Sequence, residues 1–230
     1  PYGPVQPESG EVHLRNIRQL TFGGQNAEAY FSASGRLITF QSARDGYGCD
    51  QQYVMNIDGA EVRRISNGTG RTTCGYFYDR DRRVLFASTH GAGPECPPQP
   101  DNSQGYVWRL DDYDLYTTRP DGSDLRRLTN TPGYDAEATL SPDGRTLVFT
   151  SMRDGDLEIY TMRTDGSRLR RLTNRLGYDG GPFFSHDGKL IVYRANHPAD
   201  GSTEAADYRR LLAQNLVRPS RMEIWVMNAD

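Results

Sequence analysis

The stretch from Tyr134 to Asn174 decides the fold, and it reads YDAEATLSPDGRTLVFTSMRDGDLEIYTMRTDGSRLRRLTN. It contains four short runs rich in β-branched and aromatic residues, separated by turn-forming pairs such as Asp143-Gly144 and Asp165-Gly166. Runs of four to six such residues between turn signals are typical of β-strands. The stretch therefore predicts four antiparallel strands joined by tight turns.

The same unit recurs through the chain at a spacing of 44 residues where no insertion intervenes. Leu128 to Asn130 returns as Leu172 to Asn174, and Tyr134 returns as Tyr178. Four antiparallel strands in a unit of this length are the signature of one blade of a β-propeller. The sequence thus predicts an all-β propeller of four-stranded blades, with four visible repeats at about 22–66, 67–129, 130–173 and 174–230.

The turn Ser141-Pro142-Asp143-Gly144-Arg145 and the run from Asp156 to Met162 also carry a family resemblance. With these motifs the chain resembles the TolB-like propeller family, whose repeats are WD40-like, over about residues 13–230. The resemblance implies a ring of six blades and a periplasmic or secreted location in a bacterium.

The N-terminal segment raises the question of how the ring closes. Residues 1–11 are proline-rich and predict an extended tail before a propeller domain at 12–230. Val12 to Thr21 matches the fourth strand of a blade that lacks its first three, and the last repeat stops before its own fourth strand. Two interpretations stay open: part of a six-bladed ring, which the resemblance favours, or a closed four-bladed ring.

Composition excludes several classes of partner. The net charge of −3 gives no basis for affinity to nucleic acid. No apolar run reaches the ~20 residues that a membrane-spanning helix needs. Composition therefore predicts neither nucleic-acid binding nor membrane insertion, and the family resemblance implies a partner that is an envelope protein or a peptide segment.

Both long insertions, 90–112 and 196–221, fall in loops on the same side of the blades. Binding residues concentrate in loops that a rigid scaffold holds, so this side is the expected functional face. In the first insertion, Trp108 is either a ligand platform or an anchor for the loop. The second predicts a helix at about Thr203 to Gln214, capped by Ser202 or Thr203, which packs on the rim or offers a ridge to a partner.

The first strand of each blade lines the central channel, and acidic residues outnumber basic ones at its mouth. Converging carboxylates raise one another's pKa or hold a cation, so the funnel is expected to take a cationic side chain, an N-terminus or Ca²⁺. The alternative is that each carboxylate caps its own turn or pairs with Arg71. The candidate residues are Glu28, Arg71, Tyr134, Asp135, Glu137, Tyr178 and Asp179.

His90 and His197 stand at equivalent points, directly after the second strand of blades two and four. Histidine is a common proton carrier and metal ligand, so symmetry suggests a binding role near the mouth. No HExxH or CxxC spacing supports a metal, and a structural role is the alternative.

Three cysteines allow a disulfide. Cys49 and Cys74 lie in neighbouring loops and form the expected pair, with Cys96 able to replace either partner. Such a bond needs an oxidising compartment, and reduced thiols are the alternative.

Taken with the resemblance, these features predict a non-catalytic scaffold that binds a protein or peptide, without a cofactor other than a divalent cation. The alternative is the propeller domain of an enzyme, either a metal-dependent lyase or the gate of a prolyl-oligopeptidase-like peptidase. A lyase requires His90 and His197 to converge with acids on a metal. A structural repeat segment of a larger protein is the third interpretation.

Overall fold

A computed structural model describes residues 4–103 and 105–230 of the protein. The chain is all-β, with four antiparallel sheets arranged as successive propeller blades, so the predicted fold class is confirmed. A separate two-stranded ribbon precedes the blades and consists of β1 (Pro4–Val5) and β2 (Ile17–Arg18).

Blades one and two each contain four strands in sequential order. Blade one comprises β3 (Gln25–Phe31), β4 (Leu37–Ala43), β5 (Gln51–Asn56) and β6 (Arg63–Arg64). Blade two, with the insertion strand β9, comprises β7 (Thr72–Tyr78), β8 (Arg83–Ser88), β9 (Trp108–Arg109), β10 (Asp114–Thr118) and β11 (Arg126–Arg127).

Blade three repeats the four-stranded pattern and blade four has three strands in its sheet. Blade three comprises β12 (Asp135–Leu140), β13 (Thr146–Ser151), β14 (Glu158–Arg163) and β15 (Arg170–Arg171). Blade four and its insertion comprise β16 (Tyr178–Phe184), β17 (Leu190–Asn196), α1 (Thr203–Leu212), β18 (Leu216–Val217) and β19 (Glu223–Asn228).

The core lies between blades, because successive side chains of a strand point to opposite faces of its sheet. In β13, Leu147 and Phe149 pack toward blade two, whereas Val148 packs toward blade four. All three side chains are fully buried. The alternation of apolar side chains along the strand thus packs the blade against both of its neighbours.

The predicted tight turns between first and second strands are present. In blade three the Gly144 amide donates to the Ser141 carbonyl at 2.8 Å, and Gly144 has a φ of 68°. Glycine adopts this left-handed conformation without a steric penalty. These short turns leave one side of the propeller without elaboration; we call it the turn side.

The N-terminal segment differs from the expected complete strand. Only Ile17–Arg18 is strand, and it pairs with Pro4–Val5 inside the predicted tail. Leu20 nevertheless packs on the core of blade one, as Leu128 packs on blade three. In the described residues β2 does not pair with β19, and the number of blades in a complete ring stays a prediction. Residues 1–3 of the predicted tail lie outside the described part.

The two insertions fold together. Strand β9 of the first insertion pairs antiparallel with β18 of the second, and Trp108 lies opposite Val217. Helix α1 begins at Thr203 as predicted, and the side chain of Ser202 caps it by accepting from the Ala205 amide at 3.1 Å. Tyr208 and Leu211 are buried on its inner face. Among the described residues, no helix combines the length and apolar character needed to cross a membrane.

Candidate functional site

The inner strand of every blade contains a β-bulge at the same place. One extra residue interrupts the pairing of β3, β7, β12 and β16 with their second strands. A bulge re-aims the side chain of the residue it inserts. The four residues at the bulges, which we call the bulge residues, all have left-handed φ angles between 50° and 60°: Glu28, Cys74, Glu137 and Gly181.

The bulges turn Glu28, Cys74 and Glu137 into the central channel, where each of them lines two adjoining cavities. The cavity on the insertion side has a volume of about 310 Å³, and we call it the insertion chamber. The other cavity, about 340 Å³, has Tyr30, Tyr76 and Phe183 in its wall. The bulge residues therefore form the layer that divides the channel.

Glu137 is the centre of the hydrogen-bond network in this layer. Its carboxylate accepts from the Tyr178 hydroxyl at 2.9 Å and from the Gly181 amide at 2.8 Å. A Cβ at Gly180 would lie 2.2 Å from the Tyr178 hydroxyl oxygen, so only glycine leaves room for this contact. The absence of side chains at Gly180 and Gly181 thus leaves space for the Glu137 carboxylate of blade three to reach blade four.

Arg194 completes the network from β17. Its guanidinium pairs with Glu137 at 2.6 Å and lies over the ring of Trp108, 4.9 Å from the ring centroid. The neighbouring Glu137 carboxylate raises the pKa of Arg194 although burial opposes the charge. Arginine suits this position because its planar group can pair with a carboxylate and stack on an aromatic ring at once.

The insertion chamber carries charges of both signs. Arg71 and Arg109 approach Asp111, with nitrogen–oxygen distances of 3.7 and 2.6 Å. Burial raises the pKa of Asp111, and both arginines oppose that effect. Three arginines (Arg71, Arg109, Arg194) and three acids (Glu28, Asp111, Glu137) line the chamber together with Trp108, Tyr134 and Tyr178.

The first insertion forms part of the roof of this chamber and is fixed at both ends. Near its start, Cys96 forms a disulfide with Cys49 of blade one, and the Pro94 carbonyl accepts from the Gly70 amide at 2.8 Å. Near its end, β9 pairs with β18. The roof is therefore anchored to blade one and to the second insertion.

The predicted pairing of Cys49 with Cys74 is wrong. Cys49 pairs with Cys96, with 5.8 Å between their Cα atoms, and Cys74 is free. The reason is that Cys74 is a bulge residue aimed into the channel and not part of an entry loop. Burial raises the pKa of its thiol to about 12, which keeps it in the unreactive protonated form.

The predicted acidic funnel is also corrected, because Asp135 and Asp179 do not line the insertion chamber. Asp135 is buried and accepts two hydrogen bonds from Arg153, at 2.9 and 3.0 Å. Asp179 is buried against His197, with 2.8 Å between Oδ1 and Nε2. The other predicted funnel residues, Glu28, Arg71, Tyr134, Glu137 and Tyr178, do line it.

His90 and His197 do not converge. They occupy the position that Arg44 and Arg153 hold in blades one and three, where each arginine lies over the tyrosine of the third strand. His90 stacks on Tyr116 in the same way, with ring centroids 4.0 Å apart.

His197 packs against Trp225, the equivalent third-strand residue of blade four, with 5.1 Å between the ring centroids. Each histidine thus packs its ring on the third-strand aromatic residue of its own blade, and neither lines the insertion chamber. Within residues 4–103 and 105–230, no group of three or more His, Cys, Asp and Glu residues is placed to hold a metal ion.

The environment of Asp179 predicts a pH-dependent stability. Burial raises its pKa to about 7, and burial also raises the pKa of neighbouring Glu158. An unfolded aspartate titrates near ~3.9, so the folded chain binds the extra proton between that pH and about 7. Stability from this group is therefore lost as the pH rises through this window.

We expect Asp179→Asn to stabilise the chain more at pH 8 than at pH 5, because asparagine keeps the shape and cannot ionise. Urea unfolding of wild type and variant at pH 5, 6, 7 and 8 measures the difference. Asp135→Asn is the matched control in blade three: it breaks the pair with Arg153 and should destabilise throughout. A constant difference between Asp179→Asn and wild type across the series would contradict the assignment.

Comparison with known proteins agrees with this architecture. The model of the TolB beta propeller domain matches residues 92–217, more than half of the chain. The chain belongs to the TolB beta-propeller domain family. A TolB homolog of Chlorobium luteolum is 29% identical over 155 residues, which cover 63% of this chain and 35% of that protein.

A second similarity to a curated protein is stronger but much shorter. The Tol-Pal system protein TolB of Bordetella pertussis is 53% identical over 34 residues, or 15% of this chain and 8% of that protein. The chain therefore spans only a minor part of the curated TolB relatives it matches.

Among solved structures, TolB from Acinetobacter baumannii has a TM-score of 0.65 at 19% identity, covering 94% of this chain and 44% of that one. A puromycin-hydrolyzing peptidase of Mycobacterium tuberculosis has a TM-score of 0.53 at 14% identity, covering 76% and 28%. At these identities the likeness shows the fold alone. A similar fold thus occurs in TolB and in a peptidase.

Sequence reasoning missed Arg194, Arg109 and Asp111 as chamber residues. Arg194 was detectable by comparing the repeats. It pairs with Gly180 in blade four, and the residue at the same position of blade three is the uncharged Thr150, which pairs with Ala136. An arginine that directly follows the apolar run from Leu190 to Tyr193 indicates a partner for its charge. Arg109 and Asp111 lie in the insertion, where no repeat provides a comparison.

Proposed function

We propose that this TolB-type propeller is a non-catalytic scaffold that binds a protein or peptide segment at the insertion chamber. The observation that carries the proposal is the roof that the first insertion, braced by the second, forms over a chamber with aromatic and charged walls. Interfaces that bind proteins are enriched in tyrosine, tryptophan and arginine. The chamber and its roof contain all three, and Tyr106 at the rim is 65% exposed.

The partner we propose is an envelope protein, and the location is the periplasm or the exterior of a bacterium. The name of the Bordetella relative connects that protein with the Tol-Pal system. The Cys49–Cys96 disulfide supports the location independently, because disulfides persist in oxidising compartments.

The enzyme alternatives receive less support from the geometry. The lyase interpretation required His90 and His197 to meet, and each instead packs against an aromatic ring of its own blade. The peptidase-gate interpretation concerns a partner domain and depends on no residue of the chamber.

As the envelope protein to test we choose the Pal protein of a Tol-Pal system, after the name of the Bordetella relative. Tyr106→Ala is expected to weaken its binding by about tenfold, the usual effect of truncating an aromatic anchor. Isothermal titration calorimetry measures the affinity, and Arg109→Ala tests the chamber wall in the same way. Arg36→Ala, an exposed change on the turn side of blade one, is the control and should bind as wild type does. Loss of binding in the control with full binding in the chamber variants would move the interface to the turn side, and absence of any binding by wild type would reject this partner.

A further inference from the structure

The turn side of blade three contains a groove that no role described above uses. Its volume is about 770 Å³, and we call it the turn groove. Four arginines line it: Arg145, Arg163, Arg168 and Arg170. In the part of the chain that the structure describes, no ion pair within 4.0 Å and no side-chain hydrogen bond is formed by any of these guanidinium groups.

Blade two shows why the groove is open in blade three. There the equivalent space is filled by Arg83, whose guanidinium pairs with Asp124 at 2.8 Å and also donates to the Asp124 carbonyl at 2.9 Å. Strand register aligns Arg83 with Thr146 and Asp124 with Arg168. Blade three thus lacks both members of this ion pair and has an additional positive charge, Arg168, at the edge of the groove.

Blade one supports the same comparison. Its residue at the position of Arg168 is Glu61, which lies 4.0 Å from Arg63 of the fourth strand. Glu61, Asp124 and Arg168 share the same left-handed backbone, with φ angles between 54° and 56°. Only the charge is reversed in blade three, so this arginine is not a requirement of the turn.

The carboxylates near the groove are already engaged. Asp143 accepts from the Ser141 hydroxyl at 2.6 Å, and Asp165 accepts from the Ser167 amide at 2.9 Å. These hydrogen bonds lower the pKa of both acids, so they remain charged and hold their own turns. Four guanidinium groups against two occupied carboxylates leave an excess of positive charge in the groove.

We propose that the turn groove binds a phosphate-bearing ligand. Arginine presents planar pairs of donors that match the oxygens of a phosphate group, and charge-assisted bonds of this kind are the strong ones. The groove volume falls in the range of small-molecule sites and exceeds the need of one phosphate ion. Thr146 and Thr161 add hydroxyl groups to its wall. A soluble polyphosphate or phosphate ester and a lipid headgroup share this chemistry.

The test uses inorganic tripolyphosphate as the probe in isothermal titration calorimetry at low ionic strength. We expect Arg163→Ala to weaken binding by about tenfold, the loss of one charge-assisted contact. Arg119→Ala, the equivalent position in blade two, removes the same charge elsewhere and should leave the affinity unchanged. No binding by wild type, or an equal loss in both variants, overturns the proposal.

A second pair of variants exchanges the features of the two blades. Thr146→Arg with Arg168→Asp should rebuild the ion pair of blade two in blade three and abolish tripolyphosphate binding without lowering the melting temperature. Arg83→Thr with Asp124→Arg should open a second groove in blade two and add a binding site. Unchanged binding in the first double variant counts against the groove.

Sedimentation with vesicles identifies the source of the phosphate. Vesicles of phosphatidylcholine with and without phosphatidylglycerol are compared, using wild type and Arg163→Ala. Sedimentation of wild type alone with phosphatidylglycerol assigns the groove to a lipid headgroup. Tripolyphosphate binding without sedimentation assigns it to a soluble phosphate.

Discussion

Reduction of the Cys49–Cys96 disulfide is expected to lower the free energy of unfolding by about 4 kcal/mol. The bond joins residues separated by 47 positions, and a cross-link over a loop of this length removes much conformational freedom from the unfolded chain. The loop it closes includes β5, β6, β7 and β8. Its loss therefore loosens the junction of blades one and two as well as the roof.

Urea unfolding with and without dithiothreitol measures the effect as a shift of the midpoint. The variant Cys49→Ala with Cys96→Ala is the control: it should unfold at the midpoint of the reduced wild type and show no response to dithiothreitol. Cys74→Ala keeps the disulfide and should retain the response. Identical midpoints of oxidised and reduced wild type would show that the bond adds nothing to stability.

Glu137→Ala is expected to destabilise the chain by about 3 kcal/mol. The change leaves the Arg194 guanidinium without its carboxylate and the buried Tyr178 hydroxyl without its acceptor. Removing one member of a buried pair costs ~3–5 kcal/mol, and the partial exposure of Arg194, 37% of its side chain, reduces that figure.

Glu28→Ala is a close control for this change, because Glu28 is also a bulge residue with nearly the same φ. The substitution imposes the same backbone requirement at an exposed position and removes one hydrogen bond, that from the Tyr30 hydroxyl, so we expect an effect of at most about 1 kcal/mol. Glu137→Gln keeps the side-chain shape and removes the charge, and it should fall between the two. Unfolding in urea measures all three, and equal losses for Glu28→Ala and Glu137→Ala would show that the bulge conformation and not the network determines stability.

The fold was predictable because its signals are local and repeated. Each blade shows alternating apolar residues and turn residues such as Asp143-Gly144 at the same phase, and these alone define strands and turns. The start of α1 was predictable for the same reason, since the Ser202 cap acts on an amide only three residues away.

The candidate site was predictable only in part, because side-chain direction depends on the bulge. In a regular strand Asp135 and Glu137 would share one face, so the alternation of side chains predicts both in the funnel. The bulge that begins at Glu137 breaks the alternation, so Glu137 enters the channel and Asp135 turns to Arg153. Nothing in the local sequence indicates the bulge. Glutamate rarely adopts a positive φ, so its presence at position 137 does not predict one.

The disulfide was beyond sequence reasoning for a related reason. Cys49 pairs with Cys96 because the proline-rich insertion passes close to blade one. That path depends on contacts between residues distant in the chain, such as the hydrogen bond between Gly70 and Pro94. The number and spacing of the cysteines left several pairings open.

The bracing of the roof by the second insertion also determines how much of the chain must be made before the proposed binding site is complete. Strand β9 belongs to the insertion of blade two and its partner β18 to that of blade four, so the roof is not braced until the chain has been synthesised through the insertion of blade four. A nascent or damaged chain in which only the first blades are folded would leave strand β9 without its pairing partner. A chain that has not folded through the second insertion would then lack the braced roof, and the proposed partner would not bind to it.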